Sequence, residues 1–133
     1  MAKPFYIEIV TPTATCYKGE IIHVRAPGVD GDFGVLADHA PMMAGLRPGR
    51  LRIDEHNASF DYALTGGYFE VHNNRAVVLA EECIKREDID LNRAMEARDR
   101  ALTELENAKT QQAQEEARAA LAKALAIIKV AEG

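Results

Sequence analysis

The chain changes character near residue 86. Its four phenylalanines and four tyrosines all lie between Phe5 and Phe69, and all five prolines lie at or before Pro48. Of nine glycines, only Gly133 falls beyond Gly67. After Arg86 the sequence is mostly Ala, Leu, Glu, Arg, Lys and Gln. Aromatic residues punctuated by Gly and Pro favour strands and turns, whereas Ala, Leu, Glu and Lys favour helix. The chain is therefore expected to divide into a sheet domain, residues 1–86, and a helical domain, residues 87–133.

In the first part, short alternating runs recur every eight to twelve residues, the pattern of a β-sandwich or barrel. Phe5, Ile7 and Ile9 alternate with Tyr6 and Glu8; Ile22, Val24 and Ala26 with His23 and Arg25; Leu51 and Ile53 with Arg50, Arg52 and Asp54; Phe60, Tyr62 and Leu64 with Asp61 and Ala63. Gly66-Gly67 breaks the chain before Tyr68-Phe69-Glu70-Val71-His72, and Asn73-Asn74 reads as a hairpin turn because Asn tolerates the left-handed conformation. About nine strands over roughly 80 residues need two packed sheets, since an open sheet would leave one apolar face wet. Residues 31–49 are dense in Gly and Pro and read as strand, loop, strand, turn. The loop Ala37-Asp38-His39-Ala40-Pro41 is too polar for a core and reads as a rim presented to a partner.

In the second part, Asp88 or Asp90 is suited to cap a helix. Leu91, Ala94, Met95, Ala101, Leu102, Leu105 and Ala108 follow helical spacing, interrupted by Arg98, and a second stripe runs through Ala117, Ala120, Leu121, Ala124, Leu125, Ile128 and Ala131. Residues 109–114 lie between them without Gly or Pro and read equally as turn or as continuous helix. Helices of this length are marginal alone in water and need a docking surface. A stripe rich in Ala buries little area, at about 25 cal/mol per Å² of apolar surface, so the seam is expected to hold weakly.

Composition narrows the function classes. With 133 residues, 47% hydrophobic and 28% charged, the chain fits one or two soluble globular domains. A formal net charge of −5 disfavours general nucleic-acid binding, which needs a basic face. Cys16 and Cys83 lie far apart in sequence and read as small packed hydrophobes in a reducing compartment. The run from Phe5 to Val10 is short and contains Glu8, so it suits neither a signal peptide nor a membrane span. The four histidines lack ligand spacing, and Asp30, Asp32 and Gly34 start a calcium-like loop that Pro41 ends where a Glu is needed. No Walker loop or nucleophile elbow is present, which weakens the reading of a small β-sandwich enzyme with a helical tail.

Several runs, in order, carry a family resemblance: Gly31-Asp32-Phe33-Gly34-Val35-Leu36-Ala37-Asp38-His39-Ala40-Pro41; Leu46-Arg47-Pro48-Gly49; Leu64-Thr65-Gly66-Gly67-Tyr68-Phe69-Glu70-Val71; Val77-Val78-Leu79-Ala80-Glu81; and Asp88-Ile89-Asp90-Leu91-Asn92-Arg93-Ala94. Essentially the whole chain resembles the ε subunit of bacterial F-type ATP synthase. The resemblance implies a ten-stranded β-sandwich followed by an antiparallel helical hairpin. It implies a non-catalytic rotor subunit of the central stalk that binds the γ subunit and the c ring and couples proton flow to ATP synthesis. It further implies helices that extend toward the catalytic hexamer and inhibit hydrolysis, and a peripheral place on the cytoplasmic face of the bacterial plasma membrane.

On the same grounds, Asp32, His39, Pro41 and Met42 are expected at the c ring or γ. Glu96, Arg98, Arg100, Glu104, Arg118 and Lys123 are expected in the extended state or on a solvated face. Ile89, Asp90 and Arg93 match a motif by which some family members bind regulatory ATP, and Arg100 is a further candidate; no other cofactor is implied. The second helix offers Arg118, Lys123 and Lys129, with Leu125 where those relatives carry a basic residue. The alternative reading is accordingly an ATP-sensing module.

Overall fold

The structure is a computed structural model and describes residues 2–133. Ten strands come first: β1 (Phe5–Val10), β2 (Thr15–Ile21), β3 (His23–Gly28), β4 (Gly31–Val35), β5 (Met42–Leu46), β6 (Gly49–Asp54), β7 (Ser59–Leu64), β8 (Gly67–His72), β9 (Arg75–Ala80) and β10 (Cys83–Lys85). A 3-10 turn at Arg86–Asp88 leads to helices α1 (Leu91–Asn107) and α2 (Gln111–Glu132). The fold is thus a β-sandwich followed by a two-helix hairpin. The tenth strand, beyond the nine visible by alternation, is the three-residue β10, too short to show a period.

The strands follow the order β10-β7-β6-β3-β5-β8-β9-β1-β2, with β4 pairing β3. At β3 the path bends: only Gly28 pairs with Leu46 of β5, whereas β3 pairs β4 along five residues. This corner separates one layer, β10-β7-β6-β3-β4, from a second, β5-β8-β9-β1-β2. All pairings are antiparallel except β1 with β9. Between the layers pack Ile7, Ile9, Val24, Val35, Leu51, Ile53, Leu64, Phe69, Val71 and Val78, all nearly inaccessible. Phe33 meets Phe69 edge-on, with centroids 5.2 Å apart. Burial of each such aliphatic side chain contributes about 1.5–3 kcal/mol.

Three backbone positions fix the β8–β9 hairpin. Asn73 and Asn74 both have positive φ, 51° and 63°, so the dipeptide makes the turn expected of it, and His72 pairs with Arg75. Gly67, at φ 147°, opens β8 where a Cβ would lie 2.1 Å from the Leu79 carbonyl oxygen.

The ends of the strand order, β2 and β10, meet without strand pairing. A register shift opposite Ile9 and Val10 turns Cys16 and Tyr17 toward this seam. The Tyr17 hydroxyl donates to Glu55 at 2.5 Å, the Tyr17 and Phe60 rings lie 6.3 Å apart, and Cys16 Sγ stands 3.8 Å from the Cys83 carbonyl oxygen. Burial, reinforced by the Glu55 carboxylate, raises the Tyr17 pKa well above that of a free phenol.

The helices turn back at residues 108–110. Asp90, rather than Asp88, caps α1, its carboxylate accepting from the Arg93 backbone N–H at 3.1 Å. Thr110 caps α2 by accepting from the Ala113 N–H at 3.0 Å, which settles residues 109–114 as a break followed by new helix. Buried Ala94 and Ala101 on α1, and Ala117 and Ala124 on α2, lie seven apart on each helix and symmetrically about the turn. α1 packs chiefly on α2, and α2 packs also on β6 and β7. Helix α2 therefore buries two faces rather than one stripe: Val130, outside the expected stripe, is 1% exposed, while Leu125, inside it, is 47% exposed. The same cover explains why β7 is buried on consecutive residues, from Asp61 to Leu64.

Candidate functional site

The four residues expected to share a rim lie at two ends of β4. Asp32 follows the β3–β4 turn. Its carboxylate accepts from the Arg47 guanidinium at 2.6 Å and lies 3.5 Å from Arg25, while Arg47 also donates to the Gly28 carbonyl at 2.6 Å. The Arg47 hydrogen bond holds the Asp32 pKa below the usual carboxylate value. At the other end, one strand length of roughly 13 Å away, lies the loop with His39 and Pro41. There Lys3 grips both oxygens of Asp38 at 2.9 Å, the Asp38 N–H donates to the Asn74 side chain at 2.8 Å, and His39 Nδ1 lies 2.7 Å from the Ala40 carbonyl. Pro41 is exposed. Met42 points inward, opposite buried Val71, and packs on the core; its neighbour Met43 is 72% exposed. The strand alternation requires one methionine inside, and the outward one is Met43 rather than the expected Met42. The two ends thus form separate surfaces.

Between those ends, the outer face of the second layer carries an apolar row that sequence reasoning missed. Gly45, Tyr68, Leu79 and Val10 are successive register partners across β5, β8, β9 and β1. Tyr68 is 64% and Leu79 54% exposed, and Val29, 60% exposed, lies over Gly45 at contact distance. A hollow of about 370 Å³ adjoins the row, lined by Val10, Pro12, Tyr68, Leu79 and Glu81 among others. The signal was present in the alternation of β8: Tyr68 sits out of phase with buried Phe69 and Val71, where a polar residue is expected.

On the opposite side, a cleft of about 430 Å³ opens between the helices and the strands. Ile89, Asp90 and Arg93 line it, with Thr65, Glu82, Ile84, Asp88, Ala120, Lys123 and Ala124. Arg100 does not; it is exposed seven residues beyond Arg93, roughly 10 Å farther along α1. Of the basic residues on α2, Lys123 lines the cleft, and its Nζ lies 2.6 Å from Glu81. The Thr65 hydroxyl oxygen is buried without a hydrogen-bond partner. The lining carries Glu82, Asp88 and Asp90 against Arg93 and Lys123, so it is not a basic cradle. Among the described residues there is no cluster suited to a metal ion, and no helix is long and apolar enough to cross a membrane.

Known proteins resemble this chain along its whole length. The family model for the ATP synthase delta/epsilon chain β-sandwich domain matches residues 4–86, and that for the delta/epsilon long α-helix domain matches residues 87–132. An ATP synthase epsilon chain from Desulforamulus reducens is 40% identical over 132 residues, 99% of this chain and 100% of the relative. One from Nitratidesulfovibrio vulgaris is 38% identical over 98% of this chain and 97% of the relative. Among solved structures, a chain of the Euglena gracilis mitochondrial ATP synthase shares the fold with a TM-score of 0.84 at 17% identity, over 98% of this chain and 82% of that one. A chain from the Tetrahymena thermophila ATP synthase central stalk and c ring superposes at a TM-score of 0.69, also at 17% identity, over 98% of both.

Proposed function

This chain belongs to the ATP synthase delta/epsilon family as an epsilon chain, a non-catalytic subunit of the membrane-associated complex, and from that premise we propose that it is a coupling subunit of the rotor. In this reading the γ subunit docks on the exposed row of Tyr68 and Leu79, with Val29 and the neighbouring Met43 beside it. The c ring meets one end of β4, at Asp32 or at the loop with His39 and Pro41. The observation that carries the reading is that this apolar row is uncovered while the opposite face of the sandwich is covered by the chain's own helices. A row of that kind fits a partner of similar character. Residues 1–86 act as the platform and residues 87–133 as an arm, at the cytoplasmic face of a bacterial plasma membrane.

The arm is proposed to inhibit ATP hydrolysis by leaving the platform and extending toward the catalytic hexamer. Four of the arm's six buried residues are alanines, beside Ile128 and Val130, which supports a light grip. Removal of residues 88–133 should raise hydrolysis by the assembled complex while the platform still co-purifies with γ. Unchanged hydrolysis retires the inhibitory role, and loss of γ from the full-length chain's complex retires the coupling role.

A second reading rests on the cleft. It gathers Asp90, Arg93 and Lys123 and offers the unpartnered Thr65 hydroxyl, which supports a nucleotide contact. The Asp90 carboxylate is already engaged as a helix cap and Lys123 by Glu81. Calorimetric titration of the isolated chain tests it: absence of heat at millimolar ATP removes the sensing role and leaves the coupling role intact.

A further inference from the structure

The two cysteines, 67 positions apart in sequence, meet in the fold. Cys16 lies on β2 and Cys83 on β10, the two ends of the strand order. Nothing in the backbone ladder joins those strands, because each pairs on its other side, with β1 and β7. The seam is closed without strand pairing: Tyr17 with Glu55, Tyr17 with Phe60 on β7, and the Cys16 side chain with the Cys83 carbonyl. Cys16 Sγ lies 3.8 Å from the Cys83 carbonyl oxygen, and both residues are free thiols of intermediate exposure.

We propose that Cys16 and Cys83 are a redox pair that oxidises to an intramolecular disulfide, stapling β2 to β10 where the sandwich hands over to the helical hairpin. The oxidant is hydrogen peroxide. One cysteine thiolate attacks the peroxide, breaking its O–O bond and becoming a sulfenic acid, while the leaving oxygen is protonated to water. The second thiolate then attacks that sulfur, forming the S–S bond and releasing hydroxide, which takes up the second thiol's proton as water. Two electrons pass from the two sulfurs to the peroxide, and two waters form.

The site has a consequence at each end. Cys83 begins the strand that ends at Lys85, and Arg86–Asp88 leads directly into α1, so the staple would anchor the root of the arm. It would also replace a side-chain closure with a covalent one across a loop of about 68 residues, long enough for strong restriction of the unfolded chain. In a reducing compartment the pair rests as a dithiol and oxidation is transient. Burial and the neighbouring Cys16 push the Cys83 thiol well above its ordinary pKa, so the Cys83 sulfur reacts faster as pH rises.

The test uses the full reduced chain, treated with hydrogen peroxide in native buffer, quenched, alkylated and weighed intact. The expected product is a monomer lighter by two hydrogen atoms that takes up no alkylating reagent. Its digest should contain the peptides of Cys16 and Cys83 joined, and dithiothreitol should restore both thiols. The oxidised monomer should melt higher than the reduced one by roughly 5 °C or more. Two alkylated thiols, higher sulfur oxides at either position, a disulfide-linked dimer, or a crosslinked monomer melting no higher than the reduced chain would each overturn the proposal.

Discussion

Lys123 on α2 sets its Nζ 2.6 Å from Oε1 of Glu81, tying the helical hairpin to the strand domain beside the hollow that holds Tyr68 and Leu79. The two side chains are 34% and 52% exposed, so the pair is worth up to about 1 kcal/mol and is screened by salt. Lys123→Ala or Glu81→Gln should therefore speed amide exchange across α2 by a few fold while leaving the strands unchanged. Raising ionic strength should produce the same change in the unaltered chain and little further change in either variant. Hydrogen exchange followed by mass spectrometry reads both.

The alanine seam admits close helix approach and no more. Ala101 and Ala117 are each 2% exposed. Ala101→Leu should overpack the seam and cost about 1–3 kcal/mol of helix docking. Circular dichroism should show the helical signal melting before the sheet signal in this variant.

At Gly67 any side chain meets backbone. At φ 147°, with a Cβ site 2.1 Å from the Leu79 carbonyl oxygen, Gly67→Ala should lose at least about 3 kcal/mol and open the β8–β9 pairing. Denaturant unfolding of the platform measures this loss.

Tyr68 separates surface chemistry from stability. It is 64% exposed and on the outer face, so Tyr68→Ala should leave the chain's own stability within about 0.5 kcal/mol. Co-purification of the variant with γ should fall by tenfold or more if the apolar row is the docking face. An unchanged yield would move the interface elsewhere.

Asp32 supplies a pH dependence with a definite sign. Its pKa is lowered in the fold, first by the Arg47 hydrogen bond, so its stabilising contribution is complete above the unfolded value of about 3.9 and is lost as pH falls through the folded value. The side chain is 38% exposed, which limits the effect to under about 1 kcal/mol. Asp32→Asn should thus be less stable than the unaltered chain at pH 6, with the gap closing below pH of about 4. Unfolding curves at the two pH values decide it.

Much of the sandwich was legible because its strands alternate. Ile7 and Ile9, Leu51 and Ile53, and Phe69 and Val71 each sit two apart and all face the core. The Asn73-Asn74 turn was legible for a local reason, since few residues accept positive φ in pairs. Contacts that depend on which strands neighbour in space were not legible. Asp32 and His39 are close in sequence, yet β4 runs between them and sends them to opposite ends. Cys16 and Cys83 are remote in sequence, yet the strand order closes on itself and brings them together. The burial of Val130 needed knowledge that α2 touches strands as well as α1. Ile89, Asp90 and Arg93 were recognisable as a run, but that Lys123 joins them and Arg100 does not depends on how the hairpin seats.

The surface on which α2 rests is unusual for a packed interface. The outward positions of β6 and β7 include Arg50, Arg52 and Asp61, and one oxygen of Asp61 is shut away there without a hydrogen-bond partner. Should the helix depart, water would find guanidinium and carboxylate beside Ala63 and Ile84, and the stranded oxygen would regain a donor. The ground beneath the helix is thus part salt and part hydrocarbon, so vacating it would wet charges as well as alanine.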